Sequence, residues 1–136
     1  MALTCLLLAS ILEGQAQIPD NNVSVVKSIF QAFNAHDWNG MMQYYADDAV
    51  FIDPSFQETI GDRNFMIRHH TELHQHFQGI HDEVKFIYAA ADTIIVEFVS
   101  TGTNESGESF TLPVCTVFTF KNGKVIRDAT YYDVRR

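Results

Sequence analysis

The sequence is poor in cysteine and in basic residues, and each shortage excludes a class of protein. Its 136 residues include only two cysteines, Cys5 and Cys115, too few for the disulfide framework of a small secreted scaffold. Nine lysines and arginines stand against seventeen aspartates and glutamates, which gives a net charge of −8. Because a surface of that sign repels phosphate backbones and anionic lipid headgroups, we expect neither nucleic acid nor a membrane as a partner.

The sequence also lacks the motifs of several common enzyme classes. It contains no glycine-rich phosphate loop, no nucleophile elbow and no Cys-x-x-Cys pair. Hydrophobic residues make up 46% of the chain, and a chain of this length can bury one sizeable core but not two. The sequence therefore predicts a single domain without nucleotide-driven or serine-nucleophile chemistry.

The N-terminal segment differs in composition from the rest of the chain. Residues 3–12 are almost wholly apolar, and Gly14-Gln15-Ala16 follows with small residues where a signal peptidase cleaves. We expect an export signal over residues 1–16 and a periplasmic or secreted domain over residues 17–136. No basic residue precedes Lys27, so the alternative is a cytoplasmic protein with an apolar N-terminal helix packed on the domain. The apolar stretch is too short to span a bilayer.

After the N-terminal segment, helix patterns come first and strand patterns follow, which predicts an α+β fold. Apolar residues spaced by three and four predict a helix that ends near residues 34–36, and Asp37 is placed to cap a second helix. That second helix should include Tyr45 and end at a turn formed by Asp47 and Asp48. A strand at 49–53 and a third helix from 61 to about 77 follow. The last part of the chain reads as antiparallel strands over 85–90, 93–103, 110–120 and 124–132.

Several stretches of the chain resemble one superfamily. The runs at residues 33–38 (FNAHDW) and 45–54 (YADDAVFIDP) are similar to the opening of ketosteroid isomerases and SnoaL-like polyketide cyclases, within the nuclear-transport-factor-2-like superfamily. Gly61 and the runs at 118–125 and 131–133 extend the resemblance over nearly everything after residue 22. The resemblance implies a cone in which a strongly curved antiparallel sheet wraps three helices and leaves an apolar cavity at its open end.

The resemblance also implies a candidate base. Asp53 matches the general-base aspartate of the isomerases, where a carboxylate in an apolar pocket gains basicity. The tyrosine that donates to the substrate oxygen in those enzymes falls at Ile29, and the protonated acid falls at Cys115 or Thr116. None of these is a strong donor, so we do not expect steroid isomerisation of the known type.

The last strand offers a second acid. SnoaL-like cyclases carry an acidic residue where Thr130 stands here, and Asp128 lies two residues earlier on the same face of that strand. Asp128 is therefore a shifted candidate, and its structural alternative is a sheet carboxylate in an ion pair with Arg127 of a neighbouring chain or with a nearby lysine. Tyr132 lies an even number of residues after Asp128, so the same alternation along the strand predicts that the Tyr132 side chain points inward.

The histidine-rich run at residues 69–76 has two interpretations. His70 and His74 lie one helical turn apart, but no third ligand is specified, so we predict no metal site. His69 lies four residues after Phe65, which should face the core, and is the histidine we expect in the cavity. The predicted ligand-binding set comprises Ile29, Phe33, Phe65, Phe98, Cys115, Thr116, Phe118, Thr130 and Tyr132.

These features favour a cofactor-independent enzyme. We expect proton-transfer chemistry of the isomerase, cyclase or dehydratase type on a small, largely apolar carbonyl or hydroxyl compound, with Asp53 as base and His69 or Tyr132 as proton partner. The alternative is a noncatalytic domain that binds a ligand or another protein, because the fold alone does not fix the function. Outward positions such as Val99 and Tyr131 predict a homodimer that covers an exposed sheet face.

Overall fold

The computed structural model describes residues 20–134, which form three helices and a five-stranded sheet. The elements in chain order are α1 (Asp20–Asn34), α2 (Trp38–Met42), β1 (Tyr45–Ile52), α3 (Arg63–His76), β2 (His81–Ala90), β3 (Thr93–Thr103), β4 (Ser109–Lys121) and β5 (Lys124–Tyr131). The predicted α+β class, with its three helices in the N-terminal half, is confirmed. The predicted export signal at residues 1–16 lies outside the described residues, and none of the helices between residues 20 and 134 has the length and apolarity to cross a membrane.

Side-chain caps fix where the two later helices begin. The Asp37 carboxylate accepts a hydrogen bond from the Gly40 amide at 2.9 Å, and Asp62 accepts one from the Asn64 amide at 2.8 Å. Each carboxylate satisfies an amide that the first helical turn leaves unpaired. The predicted cap at Asp37 is therefore confirmed.

The sheet is mostly antiparallel, in the order β1-β5-β4-β3-β2. Strands β2 to β5 form the predicted antiparallel meander, and β1 is added to it by parallel pairing with β5. Helix α3 and strands β2 to β4 separate β1 from β5 in the chain, so no hairpin constrains their relative direction. Register shifts in β1, in β2 at Lys85 and in β5 at Ile126 bend the strands.

The start of β1 also differs from the prediction. Tyr45, Asp47 and Asp48 were expected in a helix and its closing turn, but α2 ends at Met42 and all three residues lie in β1. The Val125 amide donates to the Tyr44 carbonyl at 3.0 Å, so pairing with β5 begins immediately after the helix. Asp47 and Asp48 are exposed on this edge strand, a position where charged residues oppose pairing with another chain.

The core lies between α1 and the concave face of the sheet. Alternate residues of β3, including Ile94, Val96 and Phe98, are buried on that face, as a period of two requires. Phe30 of α1 meets the edge of Phe98 with ring centroids 4.9 Å apart. The alternation that fills the core also directs several polar side chains of β2, β4 and β5 inward.

Gly102 of β3 provides a test of this packing. A Cβ atom at Gly102 would lie 2.5 Å from Cε1 of Phe110 and 3.2 Å from Cβ of Phe77, whose rings already meet edge to face at 4.9 Å. We expect Gly102→Ala to lower the free energy of unfolding by about 1–3 kcal/mol because the ring must leave its position. Urea unfolding measures this. Gly79→Ala is the control, since its Cβ would meet nothing within 4 Å; equal losses in the two variants would contradict the packing argument.

Candidate active site

A cavity of about 380 Å³ lies between the helices and the concave face of the sheet. Its lining is mostly apolar and aromatic, with rings from α1, β1, β3 and β4. Its charged groups are three carboxylates, Asp53, Asp82 and Asp128, accompanied by His69 and His70. Between residues 20 and 134, no lysine or arginine lines this cavity. The site is therefore a small apolar chamber whose formal charges are all negative.

Asp128 projects into the cavity from β5. Tyr45 Oη donates to Asp128 Oδ2 at 2.7 Å, and Thr130 Oγ1 donates to Oδ1 at 3.2 Å. Burial raises the pKa of Asp128 to about 6, although these two donors act in the opposite direction. The pKa of Tyr45 is raised well above its ordinary value, first by burial and then by the Asp128 charge, so Tyr45 remains a protonated donor. The site thus contains a carboxyl group that exchanges its proton near neutral pH.

Asp53 lies just after β1, where Pro54 ends the strand. Its Oδ1 accepts hydrogen bonds from the Ser55 amide at 2.8 Å, the Ser55 hydroxyl at 2.6 Å and Tyr132 Oη at 2.7 Å. Partial burial and the bond to Asp53 raise the pKa of Tyr132 to about 12, which keeps Tyr132 as the donor. Asp53 therefore has a structural part in the turn as well as a position on the cavity.

The two acids interact because β1 and β5 are neighbours. Asp128 stands opposite Phe51, two residues before Asp53. Burial is the main cause of the raised pKa of Asp128, and the negative charge of Asp53 adds to it. A negative charge disfavours a second one nearby in an apolar chamber, so burial and the Asp53 charge both favour the protonated form of Asp128.

The predicted cavity histidine, His69, lines the cavity. Its ring stacks on Phe65 with centroids 6.2 Å apart and meets the edge of Phe56 at 5.1 Å. Phe65 was predicted to bind ligand but does not line the cavity. It packs against His69 and Phe56 and supports the histidine from behind.

The neighbouring histidine, His70, also lines the cavity and was not predicted to do so. Its Nδ1 lies 2.7 Å from the Met66 carbonyl; because a carbonyl only accepts, Nδ1 carries the proton and Nε2 is an acceptor. Burial lowers the pKa of His70 to about 4, so the ring is neutral at physiological pH. The ring stacks on Trp38 at 5.4 Å. Spacing from the buried Met66 would have placed His70 inward, since residues four apart share a helix face.

Residues on β4 resolve an alternative left open by the sequence. Thr116 is buried and lines the cavity, whereas Cys115 points to the opposite face, in register with the exposed Tyr131. Cys115 is therefore excluded from the ligand-binding set by strand alternation. Thr116 Oγ1 and Thr130 Oγ1 are 2.7 Å apart and bond to each other. The remaining predicted contact residues, Ile29, Phe33, Phe98, Phe118, Thr130 and Tyr132, all line the cavity.

Besides His70, two ionisable cavity residues, Tyr45 and Asp82, were not predicted from the sequence. The helical pattern placed Tyr45 in α2, and Asp82 precedes the residue at which the strand was predicted to begin. Asp82 lies two residues before the half-buried Val84, and residues two apart share a face of a strand. This spacing is the signal that would have placed Asp82 inward. In residues 20–134, no three or more His, Cys, Asp or Glu side chains converge in a metal-binding arrangement.

Three helices packed on a strongly curved, mostly antiparallel sheet define an α+β fold of the ketosteroid-isomerase-like type. The model of the SnoaL-like domain matches residues 26–128, more than half of the chain. The chain therefore belongs to the SnoaL-like domain family. Among curated proteins, none matches it significantly.

Solved structures with the same architecture come from several bacteria. A SnoaL-like polyketide cyclase candidate from Jannaschia sp. CCS1 has 19% identity and a TM-score of 0.78 over 88% of this chain and 90% of its own. An LEH-like epoxide hydrolase from M. tuberculosis has 18% identity and a TM-score of 0.72 over 84% of each chain. A ketosteroid-isomerase-like protein from Catenulispora acidiphila, in complex with trimethylamine, has 19% identity and a TM-score of 0.74 over 81% of this chain and 85% of its own. At these identities the likeness establishes the fold.

The raised pKa of Asp128 predicts a pH-dependent effect on stability. An aspartate has a pKa of about 3.9 when unfolded, and that of folded Asp128 is about 6. The folded state therefore binds the proton more tightly, and stability is lost as the pH rises from about 4 to about 6. We expect Asp128→Asn, which keeps an acceptor for Tyr45, to be more stable than wild type at pH 7.5 by about 1–3 kcal/mol. This advantage should disappear at pH 4.

Urea unfolding at the two pH values measures the effect. Asp48→Asn, an exposed change on β1, is the control and should show no such pH-dependent gain. A gain for Asp128→Asn that is equal at pH 4 and pH 7.5 would contradict the assignment.

Proposed function

We propose that the protein is a cofactor-independent enzyme that transfers a proton on a small, largely apolar carbonyl or hydroxyl compound, in a reaction of the isomerase, cyclase or dehydratase type. The observation that carries the proposal is the convergence of Asp53 and Asp128 from adjacent strands on one apolar cavity. Two carboxyl groups in unequal environments can divide the roles of base and acid. A pocket that only binds apolar ligands has no need of two neighbouring charges that are costly to bury.

Asp53 is the base in this proposal. Three donors hold its Oδ1, and Oδ2 makes no hydrogen bond to any described residue. A fixed carboxylate with one oxygen available can remove a proton from a substrate carbon. His69 and Tyr132 stand beside it on the cavity wall, and Tyr132 orients the base through its hydrogen bond.

Asp128 is the acid. With a pKa of about 6, it carries a proton in roughly a tenth of the molecules at pH 7. A protonated carboxyl group can donate a hydrogen bond to the substrate oxygen on which negative charge develops. Asp128 would supply a donor that Ile29 cannot, and that the paired hydroxyls of Thr116 and Thr130 supply weakly.

The comparisons support a small-molecule enzyme. The family is the SnoaL-like domain family, and proteins of the same architecture are named as a polyketide cyclase candidate and an epoxide hydrolase. The reactions of those proteins are not transferred to this chain, because identities of 18–19% establish the fold alone.

Deuterium exchange tests the proposal even while the product is unidentified. A panel of cyclic and aryl ketones is incubated with the protein in heavy water, and mass spectrometry follows uptake of deuterium at the carbon next to the carbonyl. We expect the wild type to catalyse exchange and Asp53→Asn to lose about a hundredfold or more of that rate. The amide introduced by Asp53→Asn keeps an acceptor oxygen for Ser55 and Tyr132, so the turn should persist.

Asp48→Asn is the matched control for Asp53→Asn and should exchange at the wild-type rate. Full exchange in Asp53→Asn would remove Asp53 as the base. Ketones that raise the melting temperature but exchange no deuterium would instead indicate the noncatalytic binding domain.

We also propose a homodimer formed through the outer face of the sheet. Phe86, Tyr88 and Tyr131 are 60%, 50% and 51% exposed, and the first two rings stack at 6.3 Å. Phe86, Glu97, Cys115 and Tyr131 are paired in one row across β2 to β5, so the aromatic side chains share a face. Pairing with a second copy would cover rings that are otherwise left in water.

Light scattering tests the dimer. We expect a mass of twice the 15.5 kDa chain at micromolar concentration and a shift toward the monomer in Tyr131→Lys, because a desolvated charge opposes association. Gln75→Lys adds the same charge on an exposed position of α3 and should stay dimeric. A monomeric wild type would exclude this interface.

A further inference from the structure

The third carboxylate, Asp82, takes no part in the proton transfer proposed above. It lies on β2 opposite Ser100 of β3 and lines the cavity. Its side chain is only 7% exposed. Within the described part of the chain, its Oδ1 is the one buried side-chain oxygen or nitrogen without a hydrogen-bond partner. A buried acceptor left in this state costs free energy that a donor on a ligand would recover.

The protein holds Asp82 in place through its backbone. Asn34 at the end of α1 donates from Nδ2 to the Asp82 carbonyl at 2.9 Å and accepts from the Asp82 amide at 2.8 Å. These two bonds fix the strand to the helix and leave the carboxyl group to the cavity. Burial raises the pKa of Asp82 to about 6, with the Ser100 side chain acting in the opposite direction. At neutral pH the group is therefore mainly a carboxylate.

Asp82 belongs to a different part of the cavity from Asp128. Asp128 is in register with Phe118 of β4, whereas Ser100, the partner of Asp82, is in register with Leu112. Six residues of β4 separate these two positions, which corresponds to roughly 20 Å along the strand. A ligand whose reacting group lies at Asp53 and Asp128 would thus meet Asp82 with another of its groups.

The charge of the cavity selects the nature of that group. The cavity carries three aspartates, its described residues include no lysine or arginine, and His70 is neutral. An anionic ligand would be repelled. Phe98 on β3, the strand next to Asp82, and Phe110 on β4, one strand further, also line the cavity, and aromatic faces attract cations. A protonated amine satisfies the free oxygen, compensates the charge and contacts the rings.

We propose that Asp82 binds the protonated amine of an otherwise apolar ligand, so that the substrates of this protein are amines. The inference rests on the proposed function, because it takes this cavity to be the one that receives the substrate. It adds a second anchoring point, at a residue that the proton transfer does not use.

Three probes with the same three-carbon phenylpropyl chain length test the proposal: 3-phenylpropylamine, 3-phenylpropanol and 3-phenylpropanoate. Calorimetric titration of the wild type at pH 7.5 should show the amine binding at least about tenfold more tightly than the alcohol, because a charge-assisted hydrogen bond replaces a neutral one. The carboxylate should bind more weakly than either. Asp82→Asn should abolish the advantage of the amine and change the affinity for the alcohol by no more than about twofold.

Asp53→Asn is the matched control, since it removes one negative charge from the other part of the same cavity and should keep the preference for the amine. Equal affinities of wild type for amine and alcohol, or no amine binding at millimolar concentrations, would overturn the proposal without recourse to any variant. A preference that survives in Asp82→Asn but is lost in Asp53→Asn would also overturn it. These titrations measure binding alone, so their failure leaves the exchange test of proton transfer unaffected, and the reverse also holds.

Discussion

Strand β1 reaches the free edge of β5 and pairs with it in parallel, and the polar arrangement of the cavity depends on this contact. Two hydrogen bonds cross from one half of the chain to the other beside it: Tyr45 to Asp128 at 2.7 Å, and Tyr132 to Asp53 at 2.7 Å. Each joins a residue near one end of β1 to a residue in or just after β5. Because the pairing is parallel, the ends of the two strands that carry Asp53 and Tyr132 lie on the same side of the sheet. The acid pair is thus assembled by topology.

The buried ionisable groups of the cavity make contributions to the free energy of unfolding that change with pH. The pKa values of Asp82 and Asp128 are both raised to about 6, so their contributions to stability fall as the pH rises from about 4 to about 6. The pKa of His70 is lowered to about 4, so its contribution is present above the unfolded value of about 6.5 and is lost as the pH falls toward 4. The histidine and the acids therefore act in opposite directions over the same pH interval. A neutral imidazole also leaves the negative charge of the cavity uncompensated, which favours a neutral or cationic ligand over an anion.

The parts of this fold that the sequence predicted are those set by local rules. Asp37 caps α2 and alternation places Phe98 and Tyr132 inward, because capping and strand period act between residues close in the chain. The parallel edge strand and the position of Tyr45 depend on pairing with residues about eighty positions away, which no local pattern contains. Asp53 and His69 were placed on the cavity by resemblance and helix spacing. Cys115 could not be separated from Thr116 because a shift of one residue exchanges the two faces of a strand.

The placement of Asp128 explains how a cavity that lacks the usual strong donors could still support proton transfer. By the resemblance to ketosteroid isomerases, the positions expected to hold a tyrosine and a protonated acid carry Ile29 and either Cys115 or Thr116. Of the latter two, Thr116 lines the cavity, and its hydroxyl is engaged by Thr130. Thr130 in turn donates to Asp128, so Asp128, the two threonines and Tyr45 form one hydrogen-bonded group. Within this group, Asp128 is the residue whose pKa lies near neutrality. In the proposed reaction, the proton that burial favours on Asp128 passes to a substrate oxygen that gains negative charge. In the proposed reaction the proton donor is Asp128, which lies two residues before Thr130 on the same face of β5. The hydroxyl groups of Thr116 and Thr130 serve to orient Asp128.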